Sequence, residues 1–223
     1  LDLEAELLSA VESLSRKPAG VNPHVARGVI ELTREKLALE GKTLSPEQAK
    51  AIEELTTRDG GVSCLIGVAG SSKSTILGSC RLAWELSGKE VVGCALSGVA
   101  QDSLKESSGI ASDTLAMTLM RLRHGRLTLT PDTVVVLDEA GMVSTKVMAE
   151  LVGHVKQAGA SFVMAGDSAQ IQSIGAGGPF QSLTERVPNV SVLTEIHRQR
   201  EEWRKTTVHQ LSRGEAREAL IAY

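Results

Sequence analysis

The chain has 223 residues, of which 42% are hydrophobic, and a formal net charge of −3 at pH 7. This length and apolar content allow one sizeable domain with a small extension. The slightly acidic balance excludes the strongly basic character of a stand-alone nucleic-acid-binding protein. Aromatic residues make up only 2% of the chain, which excludes a base-stacking platform built from several rings on one face.

The three cysteines, Cys64, Cys80 and Cys94, show no Cys-x-x-Cys spacing and have no fourth partner. We therefore expect buried free thiols in a reducing compartment rather than a metal site or a disulfide. No apolar run approaches the ~18 residues of a membrane span, and no signal peptide is recognisable. Because the first residue is leucine and not methionine, we expect the chain to be a piece of a longer protein.

The first ~40 residues predict two helices. One covers residues 1–14, with its leucine and valine side chains on one face. Asn22-Pro23 then combines an N-cap residue with proline at the first helical position, and Gly41 ends the helix that follows. We expect residues 1–40 to form a small helical appendage to a main domain at residues 41–223.

From residue 62 onward, short apolar runs alternate with helical patterns. Continuous apolar strands separated by helices predict an α/β fold with a doubly wound parallel sheet that is covered on both faces. Ligands of such sheets bind at the carboxyl ends of the strands. The predicted strands are Val62–Ile66, Val91–Ala95, Thr133–Leu137, Ser161–Ala165 and Val190–Leu193. The predicted helices in this region are Lys73–Ser87, Asp113–His124, Ser144–Gln157 and a charged one from about Glu201; another helix begins near Ser45, before the first strand.

The segment that follows the first strand reads Gly-Val-Ala-Gly-Ser-Ser-Lys-Ser-Thr and predicts a phosphate-binding loop, G-x-x-x-x-G-K-[ST], with Ser72 in place of its last glycine. Backbone N–H groups at the helix start would face phosphate oxygens, Lys73 would neutralise the outer phosphates, and the Ser74 hydroxyl would bind magnesium. A Gly/Ser-rich surface turn with an unrelated lysine is the alternative. The residues expected to contact the nucleotide are Gly67, Gly70, Ser71, Ser72, Lys73, Ser74 and Thr75.

Two acidic residues, Asp138 and Glu139, directly follow the strand-like run Val134–Leu137. Asp138 can reach a magnesium ion, and Glu139 can orient an attacking water. Phosphoryl transfer needs positioning and charge neutralisation more than covalent chemistry, so this pair complements the loop. Two solvated acids at a strand end are the alternative, and the presence of the phosphate-binding loop in the same chain disfavours it.

Three further segments carry candidate residues. Gly166–Gln170 follows a strand, where Gln170 could sense the γ-phosphate, although an ordinary strand-exit turn explains the same residues. Arg198 could supply positive charge to the transition state, or could be a solvated arginine at a helix start. Gln48 completes the capping box Ser45-x-x-Gln48 with Pro46 at the first helical position, and its spacing alone does not separate capping from ligand recognition.

Taken in order, these segments resemble the motifs of RecD-like superfamily 1 DNA helicases. The connecting residues at 95–104, 108–116, 138–144, 166–180 and 193–203 are most similar to the helicase segment of TraA/MobF-type conjugative relaxases. The resemblance covers about residues 44–223. It implies the first RecA-like lobe of a P-loop ATPase that moves 5′ to 3′ on single-stranded DNA, in the cytoplasm of a bacterium.

The resemblance also implies roles for individual residues. Gln48 would contact adenine, Asp138 would bind magnesium and Glu139 would be the catalytic base. Gln170 would be the γ-phosphate sensor and Arg198 the arginine finger. ATP and Mg²⁺ are the implied cofactors. Residues Ser97, Gly98 and Thr114 fall where family members touch the DNA backbone, with ordinary helix capping as the alternative for the two hydroxyl residues.

Three departures from the family pattern qualify this interpretation. Ser72 replaces a glycine, and at φ > 0 a serine there would cost about 1–3 kcal/mol. The motifs of a second RecA-like lobe are missing, so we expect that lobe and a relaxase domain in the parent chain as partners. The histidines show no clustered spacing and the only tyrosine is Tyr223, so we expect DNA nicking to reside upstream.

Two other functions remain open at this point. Ser72 could leave the lobe able to hold nucleotide or single-stranded DNA but unable to hydrolyse ATP. Retention of Asp138, Glu139, Gln170 and Arg198 favours an active enzyme instead. A P-loop enzyme of another class, such as a small-molecule kinase, would show a lid and an acceptor site in place of the paired acids and the Gly166–Gln170 segment.

Overall fold

The structure, a computed structural model, describes residues 2–15, 17, 20–68, 70, 72–167 and 179–194. The described helices are α1 (Asp2–Leu14), α2 (Pro23–Leu39), α3 (Pro46–Thr57), α4 (Lys73–Leu86), α5 (Gly98–Ser108), α6 (Leu115–Arg123), α7 (Thr145–Ala158) and α8 (Pro179–Thr184). The described strands are β1 (Val62–Gly67), β2 (Glu90–Ala95), β3 (Ser112–Thr114), β4 (Thr133–Asp138), β5 (Ser161–Gly166) and β6 (Asn189–Leu193). A short 3-10 turn covers Ala140–Met142.

The six described strands form one parallel sheet in the order β3-β2-β4-β5-β1-β6. Strand β5 therefore lies between β1 and β4. Because the strands are parallel, their carboxyl ends lie along one edge of the sheet. The chain therefore leaves β1, β4 and β5, each of which precedes a predicted site segment, at that edge.

Alternating side chains of the strands bury into two separate cores, one on each face. On β4, Val135 and Leu137 pack with α1, α6, α7 and α8, while Val134 and Val136 pack with α2, α3, α4 and α5. The continuous Val-Val-Val-Leu run of β4 is the pattern of a strand that is covered on both sides. The predicted doubly wound α/β fold is confirmed.

The two N-terminal helices lie on opposite sides of this sheet, packed on the helices that cover it. Helix α1 packs on α7 and contributes Leu7, Val11 and Leu14 to one core. Helix α2 packs on α3 and α4, and the Thr33 and Ser79 hydroxyl oxygens lie 2.9 Å apart in a buried contact between α2 and α4. The boundary at residue 40 stays a prediction.

The turn after α1 is joined to the amino end of the sheet. The Lys17 ammonium donates to the carbonyl oxygens of Pro131 (2.7 Å) and Gly159 (2.8 Å) and to the Ser161 hydroxyl (3.1 Å). Burial, followed by the nearby charge of Lys89, lowers the pKa of Lys17. Lys17 therefore links α1 to two loops on the side of the sheet away from the predicted site.

The predicted elements up to β6 match the structure to within two residues, while the helix predicted from about Glu201 lies outside the described residues. The helix expected at Asp113–His124 begins only at Leu115, because residues 112–114 form strand β3 beside β2. No helix in the described part of the chain is long and apolar enough to cross a membrane.

Candidate nucleotide-binding site

The phosphate loop leaves β1 and ends at the first turn of α4. The ammonium of Lys73, the first residue of α4, donates to the carbonyl oxygens of Gly67 (2.5 Å) and Val68 (3.2 Å). These contacts turn the lysine back over the loop. A phosphate bound at the start of α4 would share the ammonium with the two carbonyl groups.

Ser72 has the left-handed backbone conformation that the family glycine would adopt without strain. Its φ is 64° and its ψ is 29°, a region that L-residues other than glycine visit at a cost. Ser72 is the N-cap of α4, yet its side chain makes no capping hydrogen bond. The Ser72 side chain therefore does not occupy the first N–H groups of α4, as the side chain of an ordinary N-cap serine would.

The acidic pair lies two strands away from the loop. Asp138 ends β4, and the neighbouring Glu139 has φ 55°, so it shares the left-handed conformation of Ser72. Among the described residues, these two are the only non-glycine residues with positive φ. Strained backbone of this kind concentrates at functional sites, and both instances here lie at the carboxyl edge of the sheet.

Burial governs the electrostatics of the acidic pair. It raises the pKa of Asp138, while the Glu139 backbone N–H, which donates to the Asp138 carboxylate at 2.9 Å, and the charge of Lys73 act in the opposite direction. Burial, and then the charge of Asp138, raise the pKa of Glu139. Lys73 and Asp138 thus interact electrostatically across β5.

The residues fit a magnesium ion bound with a nucleotide. Ser74 and Asp138 offer a hydroxyl and a carboxylate oxygen, which are the hard ligands that Mg²⁺ prefers. Two strand spacings separate β1 from β4, a distance of about 10 Å that an ion and its coordinated phosphate can bridge. The partly desolvated Asp138 carboxylate is a favourable partner for a cation, because nearby positive charge offsets its burial.

Gln48 forms the capping box that its spacing predicts. The Ser45 N–H donates to Gln48 Oε1 at 2.9 Å, and the Gln48 N–H donates to Ser45 Oγ at 3.3 Å. Gln48 is 3% exposed and lines a cavity of about 1370 Å³ together with Ser72, Ser74 and Thr75. Capping is therefore present, and adenine contact by the same side chain stays a prediction.

The three predicted DNA-contacting residues lie together at the carboxyl ends of β2 and β3. Ser97 caps α5 through the Ala100 N–H at 3.1 Å, and Thr114 caps α6 through the Met117 N–H at 3.3 Å. Packing does not require glycine at position 98, because a Cβ atom there would meet no other atom within 4 Å. The open space at Gly98 is compatible with the close approach of a ligand backbone.

Three predicted site residues, Ser71, Gln170 and Arg198, lie outside the described residues. The described part of the Gly166–Gln170 segment contains an acid that the sequence interpretation passed over. Asp167 is 7% exposed and directly follows β5, between the phosphate loop and the Asp138-Glu139 pair. Its position one residue beyond a central parallel strand is the signal that could have identified it.

Comparison with known proteins identifies relatives for most of the chain. A family model described as an AAA domain matches residues 43–223. Conjugal transfer protein TraA of Rhizobium radiobacter is 37% identical over 211 residues, which are 95% of this chain and 19% of TraA. TraA of Agrobacterium fabrum (strain C58) is 42% identical over 180 residues, or 81% of this chain and 16% of TraA.

A third relative belongs to a different class of protein. ATP-dependent RecD2 DNA helicase of Deinococcus radiodurans is 31% identical over 162 residues, which are 71% of this chain and 22% of the helicase. The chain thus spans about a fifth of the length of the curated relatives it matches. These similarities confirm the resemblance to TraA-type proteins and RecD-like helicases, and the family match over residues 43–223 shows that the chain belongs to the AAA domain family.

Proposed function

We propose that this chain is the first RecA-like lobe of an ATP-dependent DNA helicase that moves 5′ to 3′ on single-stranded DNA during conjugative transfer in the bacterial cytoplasm. The observation that carries the proposal is the placement of Lys73, at the start of α4 after β1, and of Asp138, at the end of β4, along one carboxyl edge of the sheet with only β5 between them. A phosphate chain with its cation would lie between these two charges. The similarity to TraA proteins and a RecD2 helicase supports the choice of reaction.

Each residue would then have a defined role in hydrolysis. Magnesium, when bound with ATP, supplies charge neutralisation at the phosphates. The α4 N–H groups and Lys73 would hold the phosphates, and Ser74 and Asp138 would hold the ion. Glu139 would orient the attacking water and accept its proton, a task that its raised pKa favours.

The remaining roles depend on residues outside the described ranges and on other parts of the parent protein. Gln170 would contact the γ-phosphate and Arg198 would stabilise charge in the transition state. Translocation requires a second RecA-like lobe that closes on the nucleotide, so we propose that this chain alone hydrolyses ATP poorly and does not unwind DNA. A relaxase domain would be a further partner within the parent chain.

Gly98 supports a DNA-binding role at the ends of β2 and β3. Because a Cβ at this position meets no protein atom, Gly98→Ala should leave stability nearly unchanged. If the DNA backbone approaches here, the added methyl group should weaken single-stranded DNA binding by the parent protein several-fold. Unchanged affinity in a fluorescence-anisotropy titration would argue against DNA contact at Gly98.

A second candidate function is a lobe that binds nucleotide or single-stranded DNA without hydrolysis. The strained Ser72 conformation favours it, since a Cβ and hydroxyl occupy the position where the family loop turns beside the phosphates. The intact acidic pair favours the active enzyme, because a lobe that only holds its ligand has no chemical use for Glu139.

DNA-stimulated ATPase of the parent protein separates the two functions. Lys73→Ala should lower kcat by about 10²–10³-fold, the usual loss for one electrostatic contact to a transition state. The matched control is Lys156→Ala, an exposed lysine in the last turn of α7, which should have no effect. If ATP turnover by the parent protein does not depend on Lys73, the helicase proposal is refuted, and binding without hydrolysis is the function that remains.

A further inference from the structure

A groove runs along helix α4 from the phosphate loop. Its lining on α4 begins with Ser72, Ser74 and Thr75 and continues to Leu82, ten residues and about 15 Å further along the helix. One wall consists of α2 and the turn that follows it, and the other consists of the last turn of α5. The groove has a volume of about 1370 Å³, above the ~300–1,000 Å³ of a typical ligand cavity. The candidate nucleotide site is therefore one end of a longer groove, which we call the α4 groove.

Helix α2 runs antiparallel to α4, so its carboxyl end lies on the side of the phosphate loop. The chain before α2 passes the far end of α4, where a Cβ atom at Gly20 would lie only 2.8 Å from Cε of Lys89. Midway along both helices, the hydroxyl oxygens of Thr33 and Ser79 are 2.9 Å apart. After α2, the chain reaches Gln48 in the first turn of α3, and Gln48 lines the α4 groove.

Lys36, in the last turn of α2, is exposed and lines the α4 groove. It lies about one helical turn beyond Thr33. Because the two helices are antiparallel, one turn toward the end of α2 corresponds to one turn toward the start of α4, which brings Lys36 about level with Thr75. Thr75 is one of the residues predicted to contact the nucleotide. Lys36 therefore carries an ammonium group at the phosphate end of the α4 groove.

The second lysine on this wall is paired with a carboxylate. Nζ of Lys42 lies 2.7 Å from a carboxylate oxygen of Glu40. The hydrogen bond and the charge of Lys42, and then the charge of Lys36, lower the pKa of Glu40. Lys36 thus acts on Glu40 through its charge, without the hydrogen bond that Lys42 donates. Of these two ammonium groups, the one that Glu40 does not bind directly is Lys36.

We propose that Lys36 binds the α-phosphate of the nucleotide. Lys73 and the start of α4 would hold the outer phosphates, and Gln48 would contact adenine, so the α-phosphate is the charged group that lies between these two contacts. Lys36 lines the same groove as Gln48 and Thr75, and a lysine ammonium binds phosphate oxygens as a point charge. The ligand class is nucleoside di- and triphosphates, which share the α-phosphate.

The role of Lys36 rests on the proposed function and deepens it, because it assumes that a nucleotide binds at the start of α4. The residues that the family model matches begin at position 43, so Lys36 lies outside the part of the chain that defines the AAA domain family. Residues 1–40, which the sequence predicts as a helical appendage, would thus complete the nucleotide site with one side chain.

A simpler role for Lys36 must be distinguished from this one. In the last turn of α2, its positive charge is favourable at the carboxyl end of the helix dipole. That role affects the stability of the chain but not its affinity for a nucleotide. Lys156 is an exposed lysine in the last turn of α7, which packs on the opposite face of the sheet. Lys156→Gln is therefore the matched control.

Isothermal titration calorimetry of the parent protein tests the contact, with Mg²⁺ and either ADP or a non-hydrolysable ATP analogue. We expect Lys36→Gln to raise the Kd of both nucleotides by about tenfold, which corresponds to about 1.4 kcal/mol, because both carry the α-phosphate. Lys36→Arg should bind both much as wild type does, since arginine also donates to phosphate. Lys156→Gln should leave both Kd values unchanged.

Wild-type affinity in Lys36→Gln, or the same loss in Lys156→Gln, would overturn the role of Lys36. A loss for the ATP analogue alone would place the ammonium at the γ-phosphate and would also overturn it. If turnover depends on Lys73 but Lys36→Gln binds both nucleotides normally, only the role of Lys36 fails. If Lys36→Gln loses affinity for both but turnover does not depend on Lys73, the helicase proposal fails and the role of Lys36 stands.

Amine labelling tests the contact without a substitution. Bound ADP should slow the reaction of Lys36 with an acylating reagent, as measured by mass spectrometry of the parent protein, and should leave the labelling of Lys156 unchanged. Equal protection of both lysines, or protection of neither, would refute a contact between Lys36 and the nucleotide.

Discussion

Replacement of Ser72 by glycine should stabilise the protein, although it removes a side chain from the phosphate loop. At φ 64° and ψ 29°, Ser72 has a left-handed backbone conformation, which costs a non-glycine residue about 1–3 kcal/mol. Glycine adopts this conformation freely but loses about 0.5–1 kcal/mol through the greater entropy of its unfolded chain. The expected net gain is therefore about 1 kcal/mol.

Thermal unfolding of the 223-residue chain measures this gain. For a domain of this size, 1 kcal/mol corresponds to about 2–4 °C in Tm. Ser72→Ala should bring no such gain, because alanine keeps the Cβ that causes the strain. The expected order of Tm is thus Ser72→Gly above wild type, with Ser72→Ala close to wild type.

Ser144→Gly is the matched control. Ser144 is also a helix N-cap without a side-chain capping bond, but its φ is −68°, so glycine there relieves no strain and should cost a few tenths of a kcal/mol. If Ser72→Gly melts no higher than wild type, or shifts by the same amount as Ser144→Gly, the assignment of strain to Ser72 is wrong. In the parent protein, Ser72→Gly should also raise a Lys73-dependent ATPase rate.

Three further predictions concern stability and reactivity. Asp138→Asn keeps an acceptor for the Glu139 N–H, which lies 2.9 Å from the Asp138 carboxylate, and removes a carboxyl group whose pKa is raised by burial. The substitution should therefore raise Tm at pH 7, and this gain should vanish in acid, where the native carboxyl group is protonated. A gain that persists in acid would contradict the prediction. Lys17→Met should destabilise the chain by about 1–2 kcal/mol in urea unfolding, because it leaves two carbonyl groups and a hydroxyl without their donor. An unchanged urea midpoint would show that water replaces the ammonium. Burial raises the pKa of Cys64 and Cys94 to about 12 and also raises the pKa of Cys80. A thiol reagent at pH 8 should therefore label none of the three cysteines until the chain unfolds. Rapid labelling of any of them would place that cysteine at the surface.

The strands were predictable because their signal is local. The run at residues 133–137 consists of β-branched residues and leucine, and it forms a strand within one residue of the predicted bounds. Strand β3 gave no such signal: Ser112–Thr114 is short and polar and exists because β2 pairs with it. Helix α5 was not predicted, because its buried positions are only Ala100, Leu104 and Ser108, too few and too small for a clear apolar face.

The candidate site likewise has a part that the sequence predicts and a part that it does not. The amino-acid sequence by itself determined its chemistry, since Lys73, Ser74 and the Asp138-Glu139 pair are recognisable by residue type and by their positions after apolar strands. Only the tertiary structure decided the strand order that brings Lys73 and Asp138 within electrostatic reach, and the left-handed backbone of Glu139. The physical reason is that strand pairing is a long-range choice between segments with similar apolar faces, and no local window of sequence contains the partner that is chosen.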